Sequence, residues 1–137
     1  MSLQTQDVSF NSLRREWRET PFEWGKTDCI LSVCDYVLDQ TGIDPAAPWR
    51  ETYNTERGAM EIVEQYGGVL GLFDYGMKAC GFDRCEPREG LPSVVNVGGT
   101  SIASILGARR AIFRTEKHGV LEMPVPILGA WEIWPTR

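Results

Sequence analysis

The chain has 137 residues, 42% of them apolar and 24% charged, with a formal net charge of −5. That length fits one domain able to bury a core without metal or disulfide staples, and the composition excludes a mainly disordered chain. An acidic balance with no block of Lys and Arg excludes phosphate-driven binding of nucleic acid, and no apolar stretch approaches the ~20 residues that span a bilayer.

The opening residues Met1-Ser2-Leu3-Gln4 lack the charged-then-apolar pattern of a secretory signal, so a cytoplasmic protein is expected, or one carried in a larger particle. Residues 10–19 read as a short helix, with Asn11 as N-cap and Leu13 and Trp17 on one face at i, i+4. Arg14, Arg15 and Arg18, interleaved with Glu16 and Glu19, read as the solvated side of that helix. Pro21 stops it.

An aromatic loop, 22–26, leads into the clearest helix, over residues 28–40. Thr27 suits its N-cap, and Asp28 suits the positive end of its dipole. Ile30, Val33, Cys34, Val37 and Leu38 form an apolar stripe, and Gly42 closes the helix. Residues 43–53 are a Pro- and Ala-rich loop holding Trp49 and Tyr53. A third helix runs from about Thr55 to Tyr66, with Met60, Ile62, Val63 and Tyr66 inward, and Gly67-Gly68 ends it. Residues 69–80 read as a fourth, short helix interrupted by Gly71 and Gly76.

After Pro87 the pattern turns to strands: 94–97, 101–106, 110–115, 120–123 and 127–134. Gly98-Gly99 marks a hairpin between the first two. Trp131 and Trp134 alternate with Glu132 and Ile133 in the last, which predicts one ring in the core and the other on a contact surface. Helices over about 9–86 followed by a β-meander over about 90–135 define a single α+β domain spanning 1–137.

The four cysteines form two pairs, Cys29/Cys34 and Cys80/Cys85. Neither pair has the two-residue gap usual in a zinc site, and a helix would hold Cys29 and Cys34 about 140° apart. Reduced, mostly buried thiols are expected. No phosphate-loop or dinucleotide fingerprint occurs, so no cofactor is expected.

Cys29 is the residue with chemical potential. At a helix N-terminus the dipole favours a thiolate and backbone N–H groups can donate to an oxyanion, whereas the neighbouring Asp28 opposes the thiolate. The plainer reading makes Cys29 a small apolar helix residue, like Cys34. Trp24 and Asp28 would line a cleft beside it, the plainer reading of Trp24 being that its loop packs onto the helix.

The run Thr20-Pro21-Phe22-Glu23-Trp24-Gly25-Lys26-Thr27-Asp28-Cys29, followed by Val37, Gly42 and Asp44-Pro45, resembles the start of the NlpC-type cysteine peptidases, in particular the short versions coded in phage tail gene clusters. The Gly90 to Val95 segment is similar to that family's entry into its sheet, and the likeness spans roughly residues 13–113. The resemblance implies a small papain-like fold with helices packed on a five-stranded meander, and Cys29 as nucleophile. It also implies a general-base His at the start of the second strand. That position here is Ser101, and Ile30 and Leu31 stand where small residues usually follow the Cys. The one histidine, His118, lies in a turn between strands. It reads as an exposed turn residue, with a distant role as base the alternative.

Three functions follow as expectations. The first is a phage- or prophage-type protein with a structural, tail-associated or assembly role and no hydrolysis, in the cytoplasm or a phage particle, with other proteins as partners. The second is an active cysteine hydrolase of cell-wall peptides using Cys29 and His118. The third is an adaptor whose exposed tryptophans form a protein interface.

Overall fold

The computed structural model describes residues 10–134; the opening Met1-Ser2-Leu3-Gln4 segment lies outside them. Four helices come first: α1 (Phe10–Glu19), α2 (Cys29–Thr41), α3 (Glu56–Gln65) and α4 (Val69–Ala79). Five strands follow: β1 (Pro92–Val97), β2 (Thr100–Leu106), β3 (Ala111–Thr115), β4 (Gly119–Met123) and β5 (Ile127–Ala130). The α+β architecture expected from the chain's pattern is therefore the observed one, and each strand overlaps a predicted one.

β1 to β4 form an antiparallel meander. β5 does not continue it past β4 but returns to the other edge, giving the order β4-β3-β2-β1-β5. It pairs antiparallel with β1, and the register slips between Val94 and Val95. β5 is also shorter than expected. Pairing ends at Ala130, and Trp131 then makes an isolated bridge with Arg84.

α1 buries Leu13 and Trp17, the two residues expected inward. Asn11 lies inside this helix rather than capping it, and its side chain accepts from Arg14. Arg14 is not merely a solvated charge, since it also binds Glu122 on β4 and so ties α1 to the sheet. α2 lies against β2 and β3, α4 reaches β1 and β2, and α3 packs on α4. The buried side of α2 is wider than the predicted stripe. Leu31, Ser32 and Tyr36 join Val33, Cys34 and Val37, while Leu38 is exposed. Tyr36 is held inward because its hydroxyl donates to the Gly90 carbonyl at 2.7 Å. α3 keeps Val63 inside, with Ala59, but Met60 is exposed. In α4 the glycines are packing devices. A Cβ on Gly76 would lie 3.0 Å from the Pro45 carbonyl and 3.1 Å from the Trp49 ring.

The main core lies between the helices and one sheet face. Leu31, Val33, Val37, Phe73, Met77, Val94, Ile105, Ile112 and Trp131 are its centre. Each such Val, Leu, Ile, Phe or Met contributes about 1.5–3 kcal/mol by leaving water. Trp131 is fully buried, packs on Phe73 with ring centres 5.6 Å apart, and donates from Nε1 to Asp74 at 3.2 Å. The other sheet face carries a smaller core of Val95, Leu106, Ala111, Phe113 and Ala130, covered by Leu121, Met123 and Val125. On that face Ser93 and Ser104 satisfy each other at 2.5 Å.

Trp134 is partly buried against the main core, and its indole N–H has no partner among the described residues. Trp17 and Trp131 are buried, and Trp24 and Trp49 are partly buried. The expected exposed tryptophan interface is thus absent among the described residues. The exposed aromatic is instead Tyr75, beside Trp49 and Tyr66.

Candidate functional site at the head of α2

Helix α2 begins at Cys29, and its N-cap is Asp28, not Thr27. The Asp28 Oδ1 accepts from the N–H groups of Ile30 at 3.1 Å and Leu31 at 2.9 Å. Its Oδ2 accepts from the Gly25 N–H at 2.9 Å and the Tyr53 hydroxyl at 2.6 Å. Four donors from three chain segments therefore converge on one carboxylate, which is only 1% exposed. This explains why Asp28 won the capping position. Thr27 offers one hydroxyl, and that donates to the Pro21 carbonyl at 2.6 Å. Burial and the bond to Asp28 push the Tyr53 phenol upward.

Gly25 makes this convergence possible. Its φ is +87°, and a Cβ there would fall 1.9 Å from the Tyr53 carbonyl oxygen. Trp24 precedes it and lines an open groove of about 430 Å³ with Glu23, Lys26, Glu51, Tyr53 and Asn54. Asp28, expected in that wall, lies beneath it. Glu51 has φ +57° and donates its N–H to the Gly25 carbonyl at 3.1 Å.

Cys29 is partly exposed at the first turn. Burial, and then the Asp28 charge, push its thiol up to about 12, against the help of the Ile30 and Cys29 backbone N–H groups. The dipole effect expected at this helix end is thus outweighed. The oxyanion donors expected there are also reduced, because Asp28 already takes the Ile30 and Leu31 N–H groups. Glu56 at the start of α3 adds a further repulsion to the thiolate.

Ser101 lies on β2 on the same side as Ala103 and Ile105, the side that bears α2, and is partly exposed. No hydrogen bond joins it to Cys29. His118 stands exposed in the β3–β4 turn, where its backbone N–H donates to Thr115 Oγ1 at 2.8 Å. That turn does reach the loop before α2, through a bond from Trp24 Nε1 to Glu116 at 3.1 Å.

Sequence patterning missed Arg114. It sits on β3, 5% exposed, and donates to the Thr20 carbonyl at 2.6 Å and to Ser32 Oγ at 3.3 Å. Its guanidinium lies 5.7 Å from the centre of the Phe22 ring. Burial lowers its pKa, while the charges of Asp28 and Asp35 act in the opposite sense. Arg114 therefore supplies the positive potential at the head of α2 and joins sheet, helix and preceding loop. An arginine flanked by Phe113 and Thr115 in a strand pattern gives no sign of this. The partner Thr20 is 94 positions away in the chain.

All four cysteines are free, and only Cys34 is buried, where mostly buried thiols were expected. Among the described residues no group of three or more His, Cys, Asp or Glu side chains could hold a metal ion.

The site thus belongs to an α+β domain with a buried aspartate cap, an adjacent protonated thiol and a buried arginine on the facing strand. The chain belongs to the family described as a domain of unknown function, DUF6950, whose profile matches residues 1–133. No curated protein and no solved structure matches it. Among the described residues no helix is long and apolar enough to cross a membrane.

Proposed function

We propose that this is a phage- or prophage-type protein that uses a papain-like domain for a structural, tail-associated or assembly role, without hydrolysis. The observation carrying this reading is the state of Cys29. Its thiol is pushed up to about 12, its strongest charged neighbour is Asp28, and the β2 position expected to hold a base is Ser101. A nucleophile for acyl transfer needs either a lowered pKa or a base within hydrogen-bond reach. The resemblance to NlpC-type peptidases supplies the phage and papain-like parts of the reading. Cytoplasm or phage particle as location, and other proteins as partners, follow from the same resemblance.

The test is the alkylation rate of Cys29 against pH, read by peptide mass with Cys34, Cys80 and Cys85 as controls, together with hydrolysis of peptidoglycan peptides and esters. A slow Cys29, indistinguishable from the controls below pH ~8.5, and no turnover are expected. Turnover abolished by Cys29→Ala would sink the proposal.

The Trp24–Glu116 bond favours a second reading, since it holds the turn bearing His118 against the loop before Cys29. A cysteine hydrolase of cell-wall peptides would then use Cys29 as nucleophile and His118 as base. It requires turnover lost in both Cys29→Ala and His118→Ala.

A further inference from the structure

The smaller core opens to solvent at the end of the sheet remote from Cys29. A groove of about 220 Å³ lies between residues 87–89, the β2–β3 turn and residues 125–127. Its floor is apolar, from Leu106, Ala111, Val125 and Ile127, and its rim carries Arg109 and Arg110, with Glu89 as the one lining carboxylate. The turn bearing those arginines is closed. The Gly107 N–H donates to the Arg110 carbonyl at 2.7 Å, and Leu106 pairs with Ala111 directly below. The two guanidiniums thus project from a fixed support.

Their charge is only partly offset, by Glu89 on the same groove and by Glu122, whose pKa is lowered chiefly by Arg14 and further by Arg110. Arg14, Arg50, Arg84 and Arg88 are each bound to carboxylates. Arg109 and Arg110 are exposed and form no salt bridge with a described residue. Arg88, on the groove wall, is neutralised by two bonds to Glu132 at 2.5 and 2.9 Å. Beyond the floor, Ile127 and Leu128 are 41% and 39% exposed. Leu128 falls where the β1–β5 register slips, so it has no partner on β1.

We infer that this groove docks a linear segment of a partner protein, acidic and carrying a large apolar side chain. The apolar side chain would enter the floor between Val125 and Ile127, and its flanking carboxylates would meet Arg109 and Arg110. Charge complementarity selects this occupant. Two guanidiniums that form no salt bridge with a described residue, outnumbering the single carboxylate of Glu89 over an apolar floor, fit a carboxylate beside a hydrophobe. A membrane or nucleic acid presents an extended array of negative charge, which needs a wider cluster of cations than the two arginines here, whereas a short segment needs only local matching. The inference does not depend on the chemistry at Cys29, because the β2–β3 turn is at the opposite end of β3 from the turn holding His118.

The experiment uses a short fluorescein-labelled peptide of alternating Glu and Leu, read by anisotropy and by backbone amide shifts of the protein. Binding is expected to weaken with salt and to fall about tenfold or more in R109E/R110E. The Ile127→Glu variant, which removes apolar floor, should bind more weakly as well. Amide shifts should cluster at 87–89, 107–110 and 125–128. Equal affinity of the wild type and R109E/R110E would overturn the inference. So would equal binding of a Lys–Leu peptide, tighter binding of phosphatidylglycerol vesicles or single-stranded DNA, no binding at millimolar peptide, or shifts centred on the head of α2. Should R109E/R110E fail to fold, the single exposed change R109Q and the wild-type shift map decide the matter.

Discussion

Replacing Asp28 separates the contributions gathered at the head of α2. In Asp28→Ala the helix loses its cap, which costs about 1 kcal/mol, with a range of roughly 0.5–2. The Gly25 N–H is then left buried without an acceptor, a further cost of about 1–3 kcal/mol. Tyr53 is partly exposed, so its hydroxyl can turn to water and adds less. The sum is about 2–4 kcal/mol, a large part of the ~5–15 kcal/mol that a domain has. Asp28→Asn keeps Oδ1 for Ile30 and Leu31 but sets an NH₂ donor against the Gly25 N–H. Tyr53 can still serve as acceptor, so the cost falls to about 1–3 kcal/mol. Urea unfolding of both variants, with the slope checked for constancy, measures the difference. The same substitutions remove the charge that opposes the Cys29 thiolate, so alkylation of Cys29 should titrate lower than in the wild type. Burial, the larger cause, should keep it above a free thiol. A loss below ~1 kcal/mol in Asp28→Ala, or Asp28→Asn no better than Asp28→Ala, would refute the account of Asp28 as a saturated structural hub.

Gly25→Ala forces a positive φ on a side chain and drives its Cβ into the Tyr53 carbonyl, whereas Gly42→Ala at φ +79° meets open space. The first should abolish folding or cost well over ~2 kcal/mol, and the second only about 1 kcal/mol, as thermal melts would show. Arg114→Met removes the donor to the Thr20 carbonyl and the positive charge that acts on buried Asp28, and should destabilise by about 1–3 kcal/mol in urea. Arg114→Lys should recover part of that loss by keeping the charge. Asp74, Glu122 and Glu132 are held below their ordinary range by hydrogen bonds from Arg84, Arg14 and Arg88 respectively. Folding then favours their charged forms, so this stability is complete above pH ~4.5 and is lost as pH falls through their lowered values. The midpoint of unfolding should decline below that pH, and Glu132→Gln should flatten the decline.

Features written in neighbouring residues were readable from the chain. Gly42 as helix terminator, Leu13 with Trp17, and the Gly98-Gly99 hairpin between β1 and β2 all depend on contacts within a few positions. Features decided by remote partners were not readable. Thr27 and Asp28 are both good caps in isolation, and Tyr53, 25 residues on, tipped the choice. Tyr36 reads as an ordinary helix residue until Gly90 accepts its hydroxyl. Likewise β5 reads as the next strand of a meander, and its pairing with β1 rests on the burial of Trp131 with Phe73 and Val94 on one face and of Ala130 with Val95 on the other. At the site, Cys29 and Asp28 were legible from a dipeptide at a helix head. Arg114 was not, since burial of its charge rests on Thr20 and Ser32.

The placement of Trp131 also sets an order of assembly. The largest fully buried side chain comes near the end of the described chain, yet it packs among residues from α4 and β1. A chain growing from its N-terminus would therefore hold an unfilled hole at its centre through most of its synthesis. Helices α1 to α4 and the β1–β2 hairpin can form early, from local contacts. The core closes only when residue 131 arrives, so ending the chain just before that residue should yield an expanded, aggregation-prone species rather than a slightly weakened fold.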